Sequence, residues 1–344
     1  MENLIRRSLF FVSPYRVSIK REPIPSPGAG EILVETVLSS ISAGTELLVY
    51  RNLFPRGLPV DETIPGFRQK FGYPIKYGYS AVGRVIACGA DLEKEWKGKS
   101  VFSFHPHESH FLATPEEVIA LPPDLPLGQA VLLPGIETSI HLLSEGRPLI
   151  GERVVVFGQG TIGLITTALL ARMDLTNLIT LDCHSRRREA SVELGAFISL
   201  DPDKKSVTRE VRRLLKNGNS YEGADLVFEL SGNPDALNQA IAVTGYRGRI
   251  VIGSFYGEKR TSLDLGGYFH RSGIRLISSQ VSRIPPEISG SWTKARRLGV
   301  ALHLLKKVEL SRLITHRIPV EKAQKGYILL DRRPGKVIQI LLTY

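Results

Sequence analysis

The spacing of apolar positions changes twice along the chain, and each change predicts a change of architecture. Up to about residue 125 the apolar residues fall in short β-rich runs: Ser8–Val12, Val17–Lys20, Glu31–Leu38, Ala81–Cys88 and Ser100–Phe104. Pro/Gly signals such as Pro23-Ile-Pro-Ser-Pro-Gly28 and Lys97-Gly98 separate them, so this part reads as a small barrel. A Pro-rich passage, Leu121-Pro-Pro-Asp-Leu-Pro126, marks the first boundary. From 127 to 284 strands and helices alternate. Strands are expected at Val154–Phe157, Leu178–Leu181, Ala196–Leu200, Ala224–Glu229, Arg249–Gly253 and Arg275–Ser279, with helices at Leu164–Ala171, 186–194, 206–217 and 234–243. Six strands separated by helices describe an α/β fold with a doubly wound parallel sheet of the Rossmann kind. Beyond Pro285 come a helix Trp292–Lys307, a strand Thr315–Ile318, a helix Val320–Leu330 and a strand Val337–Leu342. The six-stranded sheet is complete without them. They are expected to rejoin the first domain, which makes it discontinuous: 1–126 and 285–344 around 127–284.

Length and composition fit this picture. A chain of 344 residues, 42% hydrophobic and 23% charged, can build two cores in water. No apolar run approaches twenty residues and none follows Met1-Glu-Asn-Leu-Ile-Arg-Arg, so a cytoplasmic protein without membrane or signal segment is expected. Two cysteines, Cys88 and Cys183, exclude a disulfide framework and a multi-cysteine zinc lobe; both read as small buried or half-buried residues. The formal charge of +11 is spread through every segment with no aromatic-interleaved basic stripe, which argues against nucleic acid and suits an acidic small-molecule substrate or a highly charged surface.

The sharpest local signal is Arg153-Val-Val-Val-Phe-Gly-Gln-Gly-Thr-Ile-Gly163 and its sequel. A strand runs into Gly158-Gln-Gly160-Thr161-Ile162-Gly163, and a helical run follows. Gly158 permits the turn, Gly160 lets a pyrophosphate reach the backbone, and Gly163 lets helix and strand pack closely. The helix N-terminus then offers N–H groups and partial positive charge to the phosphates. Asp182 ends the next strand, nineteen residues after Gly163, where a carboxylate accepts bonds from the adenosine ribose and repels a 2′-phosphate. NAD is therefore the expected cofactor. Arg186-Arg187-Arg188 read as solvated first turns of a helix, with Arg187 along the ribose.

With Ser39-Ser-Ile-Ser-Ala-Gly-Thr-Glu46, Tyr77-Gly-Tyr-Ser-Ala-Val-Gly-Arg-Val85, Ala130-Val-Leu-Leu-Pro-Gly-Ile-Glu-Thr138, the Gly-rich turn, Asp182 and Gly195-Ala196, the chain resembles the medium-chain dehydrogenase/reductase superfamily, the zinc alcohol dehydrogenase-like proteins, over essentially its full length. The resemblance implies a GroES-like catalytic barrel beside a Rossmann domain and a homodimer, with Thr138 at the nicotinamide. The Gly-Thr-Glu and Gly-Tyr forms look like the branch that includes bacteriochlorophyllide dehydrogenases, which oxidise a hydroxyethyl side group with NAD. The departures are as informative. Where zinc-dependent members carry a cysteine, a histidine and often a glutamate, this chain has Ala43, Tyr79 and Pro134, and none is a plausible zinc ligand. The usual catalytic zinc is expected to be absent.

Alcohol oxidation with NAD needs the hydroxyl proton removed as hydride leaves, and the reverse needs a proton donor at the carbonyl. Tyr79 is the candidate donor or acid/base, with Thr45 and Glu46 as relay; filling the volume of a lost metal site is its bland alternative. In Phe104-His-Pro-His-Glu-Ser-His110, His105 and His107 are candidate substrate contacts, and with His110 or Glu108 a relocated metal site is the weaker reading. Glu137 and His141, four apart, share a helix face, and Phe269-His-Arg271 lies before the sixth strand. The expected function is an NAD(H)-dependent interconversion of a secondary alcohol and a ketone on a fairly large or acidic substrate. A quinone or enone reductase and a non-catalytic NAD-binding regulator are the alternatives.

Overall fold

The computed structural model of the chain describes residues 4–61, 64, 68–90, 92–216 and 222–344. Two compact units emerge, one from residues 1–134 with 305–344 and the other from 135–304. The chain passes from one to the other inside the helix Leu133–Gly146 and returns inside the helix Lys294–Lys307. The sequence reading drew these divisions at 126 and 284, where Pro-rich passages break the pattern. The contacts place them within continuous helices instead.

The first unit holds β1 (Ile5–Ser13), β2 (Arg16–Pro23), β3 (Ile32–Ser40), β4 (Ile75–Lys76), β5 (Ala81–Cys88), β6 (Ser100–Ser103), β7 (His110–Ala113) and β8 (Val118–Ala120). Strand β3 is its axis. β5 runs antiparallel along one edge of β3, while β7 pairs with Ile32–Glu35 and the C-terminal strand with Leu38–Ser40 on the other. The order around it is GroES-like, and β2-β1-β4 form a separate small sheet. Strands β7 and β8 went unforeseen because they are short and lie among polar residues, as did the helix Ala43–Tyr50, whose residues carry no clear helical period. This helix buries Leu47, Leu48, Val49 and Tyr50 in a core shared with Leu9, Phe11 and Tyr327.

The second unit is the Rossmann domain. β9 (Arg153–Phe157), β10 (Asn177–Leu181), β11 (Ile198–Leu200), β12 (Ala224–Glu229), β13 (Thr244–Ile252) and β14 (Arg275–Ser278) form one parallel sheet in the order β11-β10-β9-β12-β13-β14. The order reverses between β9 and β12, so the carboxyl ends of these two strands flank the crevice where such sheets bind ligands. β9 is buried on both faces, as the unbroken apolar run Val154–Phe157 requires. The expected helix 206–217 spans Val207–Leu214, and residue 217 lies outside the described residues.

The C-terminal stretch returns to the first unit. β15 (Ile314–Pro319) and β16 (Gln339–Thr343) are parallel to each other, and β16 is antiparallel to β3. Between them the expected helix begins one turn later than Val320, at Ala323–Arg332, after a tight 3-10 turn. Cys88 is half-buried as expected, whereas Cys183 is exposed, because it follows β10 on the surface of the crevice. Among the described residues no helix is long and apolar enough to cross a membrane.

Candidate active site and cofactor cradle

In the second unit the Gly-rich turn has the geometry its residues predict. Gly158 has φ +85°, and a Cβ there would lie 2.5 Å from the backbone of Ser231. A Cβ on Gly163 would stand 1.9 Å from the carbonyl oxygen of Gly158, so helix and strand meet at contact distance. Gly160 differs: it is the N-cap of the helix Thr161–Leu170, and a Cβ there would meet nothing within 4 Å. That open side faces the end of a ten-residue helix, where Thr161, Ile162 and Gly163 form the first turn. Gln159 locks the loop from within, its side chain bonding the Gly158 carbonyl and accepting from Thr167.

Asp182 is buried at the end of β10 and already oriented. It accepts the amide N–H of Gln159 (2.8 Å) on Oδ2 and that of His184 (2.9 Å) on Oδ1. Each oxygen keeps a further lone pair for a ribose hydroxyl. Arg187 stands 3.8 Å from the same carboxylate. Thr138 is half-buried on the helix Leu133–Gly146, and its neighbour Ser139 donates to the Gly135 carbonyl of the same helix (3.0 Å) and accepts a bond from Thr166 (3.1 Å). The helix bearing Thr138 is thereby fastened to the one that follows the Gly-rich turn.

In the first unit, the loop Ile41–Ser42 and the helix Ala43–Tyr50 bring Ser42 and Thr45 to Tyr79. The Tyr79 hydroxyl is in short hydrogen-bond contact with Ser42 Oγ and 3.4 Å from Thr45 Oγ1. Burial raises the Tyr79 pKa, the bonds from Ser42 and Thr45 lower it, and the charge of Glu46 raises it again. Tyr79 is therefore a phenol, a proton donor, at neutral pH. Ser42 was not foreseen. Its signal was its place three residues before Thr45, on the same turn.

Glu46 and His107 lie deeper than expected. Both are 0% exposed. Glu46 Oε1 accepts the Ser42 amide (2.7 Å), and Oε2 takes Tyr327 OH (2.5 Å) and His107 Nε2 (3.1 Å). His107 Nδ1 lies 2.7 Å from Ser39 Oγ, which in turn lies 2.8 Å from the Tyr344 hydroxyl. Two expectations are corrected here. Glu46 reaches Tyr79 only through an amide N–H, which is no path for a proton, so it orients Ser42 instead of relaying. His107 has both ring nitrogens engaged and no exposed surface, so it braces the site and touches no substrate. A Cβ on Gly78 would sit 2.5 Å from its ring, which is why the residue before Tyr79 has no side chain.

His105 points elsewhere. Its Nε2 is 2.9 Å from Glu108 and its ring stacks on Phe111 at 4.0 Å. Glu108 is also held by Lys76 (2.6 Å) and Ser8 (2.8 Å). Burial pushes its pKa up, but His105 and Lys76 prevail and hold it at about 2. His110 turns to Ser109 and Glu35. The three imidazoles diverge, and no relocated metal site forms from them. Nor does zinc fit positions 43, 79 and 134: alanine and proline bring no side-chain donor, and the tyrosine hydroxyl is bound to Ser42. Among the described residues, no three His, Cys, Asp or Glu side chains come together to hold a metal ion.

Glu137 and His141 meet through a residue the sequence reading passed over. Arg297, 2% exposed, donates to Glu137 Oε1 from Nε (3.0 Å) and from one terminal nitrogen (2.8 Å), and the other terminal nitrogen lies 3.2 Å from His141 Nδ1. Burial first and Arg297 second lower the His141 pKa to about 4, against a backbone hydrogen bond at Gln280. The imidazole is neutral at physiological pH. A signal for Arg297 existed: it sits four and eight residues before Ala301 and Leu305, both fully buried, on the apolar stripe of its helix.

The family described as zinc-binding dehydrogenase matches residues 161–298. L-threonine 3-dehydrogenase of Bacillus velezensis is 24% identical over 363 residues, covering 95% of this chain and 96% of the relative. D-guloside 3-dehydrogenase of Escherichia coli K12 is 24% identical over 335 residues, covering 92% and 93%. Among solved structures, a short chain alcohol dehydrogenase from Escherichia coli complexed with NADH superposes with a TM-score of 0.78 at 18% identity, covering 99% of both chains. A zinc-binding dehydrogenase from Sinorhizobium meliloti bound to NADP does so at 0.76 and 17%, covering 99% and 100%.

Proposed function

We propose that the chain is a medium-chain dehydrogenase/reductase, and that it is an NAD(H)-dependent oxidoreductase that interconverts a secondary alcohol and a ketone without the superfamily's usual zinc. Support for the redox reading comes from the cradle at Gly158–Gly163 with Asp182 at the next strand end. Support for NAD over NADP is the carboxylate itself, which a 2′-phosphate would have to approach.

The single observation that carries the zinc-free part is the phenol of Tyr79 bonded to Ser42 beside Thr45, where zinc-dependent members place a metal ligand. Held by the turn Gly158–Gly163 and by Asp182, NADH would supply the hydride for carbonyl reduction, and Tyr79 would give its proton to the carbonyl oxygen. Ser42 and Thr45 would pass a new proton from water to the phenolate, so that the alcohol keeps the one Tyr79 gave. The products are an alcohol and NAD⁺. With its pKa raised, Tyr79 is better placed as donor than as base, which favours reduction as the direction the site catalyses best. Thr138 would contact the nicotinamide, Arg187 the adenosine ribose, and a homodimer through the Rossmann sheets would follow the superfamily's habit. His105, half-buried like His110, keeps its place as a candidate substrate contact, whereas His107 does not.

The test is Tyr79→Phe with a panel of ketones, secondary alcohols, enones and quinones followed by NADH absorbance. Turnover should fall about a hundredfold, the range for a lost general acid, with NADH affinity unchanged. Undiminished ketone reduction by the variant would refute the assignment. Wild-type activity on enones or quinones alone would replace it with double-bond or quinone reduction, and turnover of none of the panel would favour the regulator.

A further inference from the structure

We infer that Arg297 is a positioning residue for the nicotinamide half of the cofactor, acting as a buried clamp between the helix that carries Thr138 and the loop that follows β14. The inference rests on the dinucleotide reading above.

The five N–H groups of a guanidinium set its capacity. Here five donor contacts are made. Two go to Glu137 Oε1, at 3.0 and 2.8 Å, and one lies 3.2 Å from His141 Nδ1. The remaining two go to main-chain carbonyls, Val281 at 2.6 Å and Arg283 at 3.4 Å. Three segments of the second unit are thus tied at one point: the helix Leu133–Gly146, the helix Lys294–Lys307 and the loop that leaves β14 after Ser278.

The place of this loop gives the tie its meaning. Asp182 at the end of β10 assigns the adenosine to one half of the sheet, so the second nucleotide lies over the other half, at the carboxyl ends of β12, β13 and β14. The first residues beyond β14 therefore border the nicotinamide. Loop carbonyls gathered on a buried cation have a fixed path. On the opposite side, Glu137 is held beside Thr138, and the bond that Ser139 accepts from Thr166 fastens the same helix to the one behind the phosphate cradle. Arg297 closes a chain of contacts from the pyrophosphate end to the nicotinamide end.

A purely structural role is the poorer account. Taking a guanidinium and a carboxylate out of water costs several kcal/mol, and apolar side chains of the same volume often serve stability as well or better. The neighbouring positions of the stripe, Ala301 and Leu305, are apolar. What an apolar residue at 297 could not do is hold two loop carbonyls and a helix in register.

The experiment compares full-length wild type with Arg297→Met and Glu137→Gln, titrating each with NADH and with ADP-ribose, which carries the same diphosphate and adenosine but no nicotinamide. Arg297→Met should weaken NADH about tenfold or more, equivalent to about 1.4 kcal/mol, while ADP-ribose stays within about twofold. The emission of bound NADH should also move towards that of free NADH. Glu137→Gln keeps the volume and serves if Arg297→Met does not fold; it should show the same split in smaller measure. Equal weakening of both ligands, or no weakening of either, overturns the clamp. Failure of the wild type to bind either ligand overturns the dinucleotide reading itself, and the clamp with it.

Discussion

Gly160→Ala separates the fold from the function at one methyl group. Gly160 has φ −69° and ψ −172°, ordinary extended backbone, and its Cβ would point into open space. On the protein side the change nearly cancels: alanine is a poorer N-cap than glycine, but it stiffens the unfolded chain, so stability should move by no more than about 1 kcal/mol. On the ligand side the methyl occupies the approach of the diphosphate to the first turn of the helix Thr161–Leu170. Loss of even one or two charge-assisted N–H···O bonds costs about 2–4 kcal/mol, a rise in Kd of about 30- to 900-fold. Thermal unfolding and NADH fluorescence titration on the same sample measure both sides. An unchanged melting temperature with an NADH Kd within about threefold of wild type would refute the cradle. Gly163→Ala is the contrast: with the Gly158 oxygen only 1.9 Å from the new Cβ, it should damage the fold as well.

Cofactor choice follows from Asp182: NADH should bind more tightly than NADPH, and Asp182→Asn should narrow the gap, whereas tighter binding of NADPH to the wild type would show that Arg186 and Arg187 prevail. Glu108 titrates far below the usual 4.5, at about 2, so its contribution is complete above pH 4.5 and is lost as pH falls towards 2. At about 1.4 kcal/mol per pH unit that amounts to about 3 kcal/mol, and urea unfolding of wild type against Glu108→Gln should converge at the acid end. His141 has the opposite charge type but the same direction: neutral in the fold to about pH 4 and protonated below about 6.5 when unfolded, it should remove about 3 kcal/mol as pH drops through that interval. A stability profile of His141→Phe as steep as that of wild type between pH 6.5 and 4 would contradict its burial as the neutral form. His107→Leu leaves Glu46 buried without its imidazole and should cost about 3–5 kcal/mol; a loss under about 1 kcal/mol would mean that Tyr327 and the Ser42 amide suffice.

What could be read from the chain alone was what short stretches decide. The run Val154–Phe157 and the three glycines after it act within ten residues of one another, and Asp182 follows nineteen residues after Gly163 at the end of the next strand, so the alternation of strands and helices and the glycine turn were legible in the sequence. The polar network of the first unit was not. Glu46 meets Tyr327 and His107 across 281 and 61 positions, and no periodicity joins such partners. His107 illustrates the difference: in sequence it sits in a polar cluster that resembles a surface loop, and only the packing of Gly78 against its ring shows it to be interior. Arg297 was hidden for the same reason, with its partner Glu137 160 positions away. Its presence on an apolar stripe marked it as unusual without naming what it binds.

The chain enters residues 135–304 through one helix and leaves through another, and Arg297 joins those two helices to each other. Entropically, this makes the long excursion behave as a short connection. Closure of a flexible loop grows with the logarithm of its length, but a folded insert whose ends are pinned side by side presents the host with only the gap between them. The strands before Pro134 and those after Leu305 can therefore assemble as though nearly adjacent in sequence. Grafting a foreign β-barrel around this insert, joined through both intact helices, should be tolerated for the same reason.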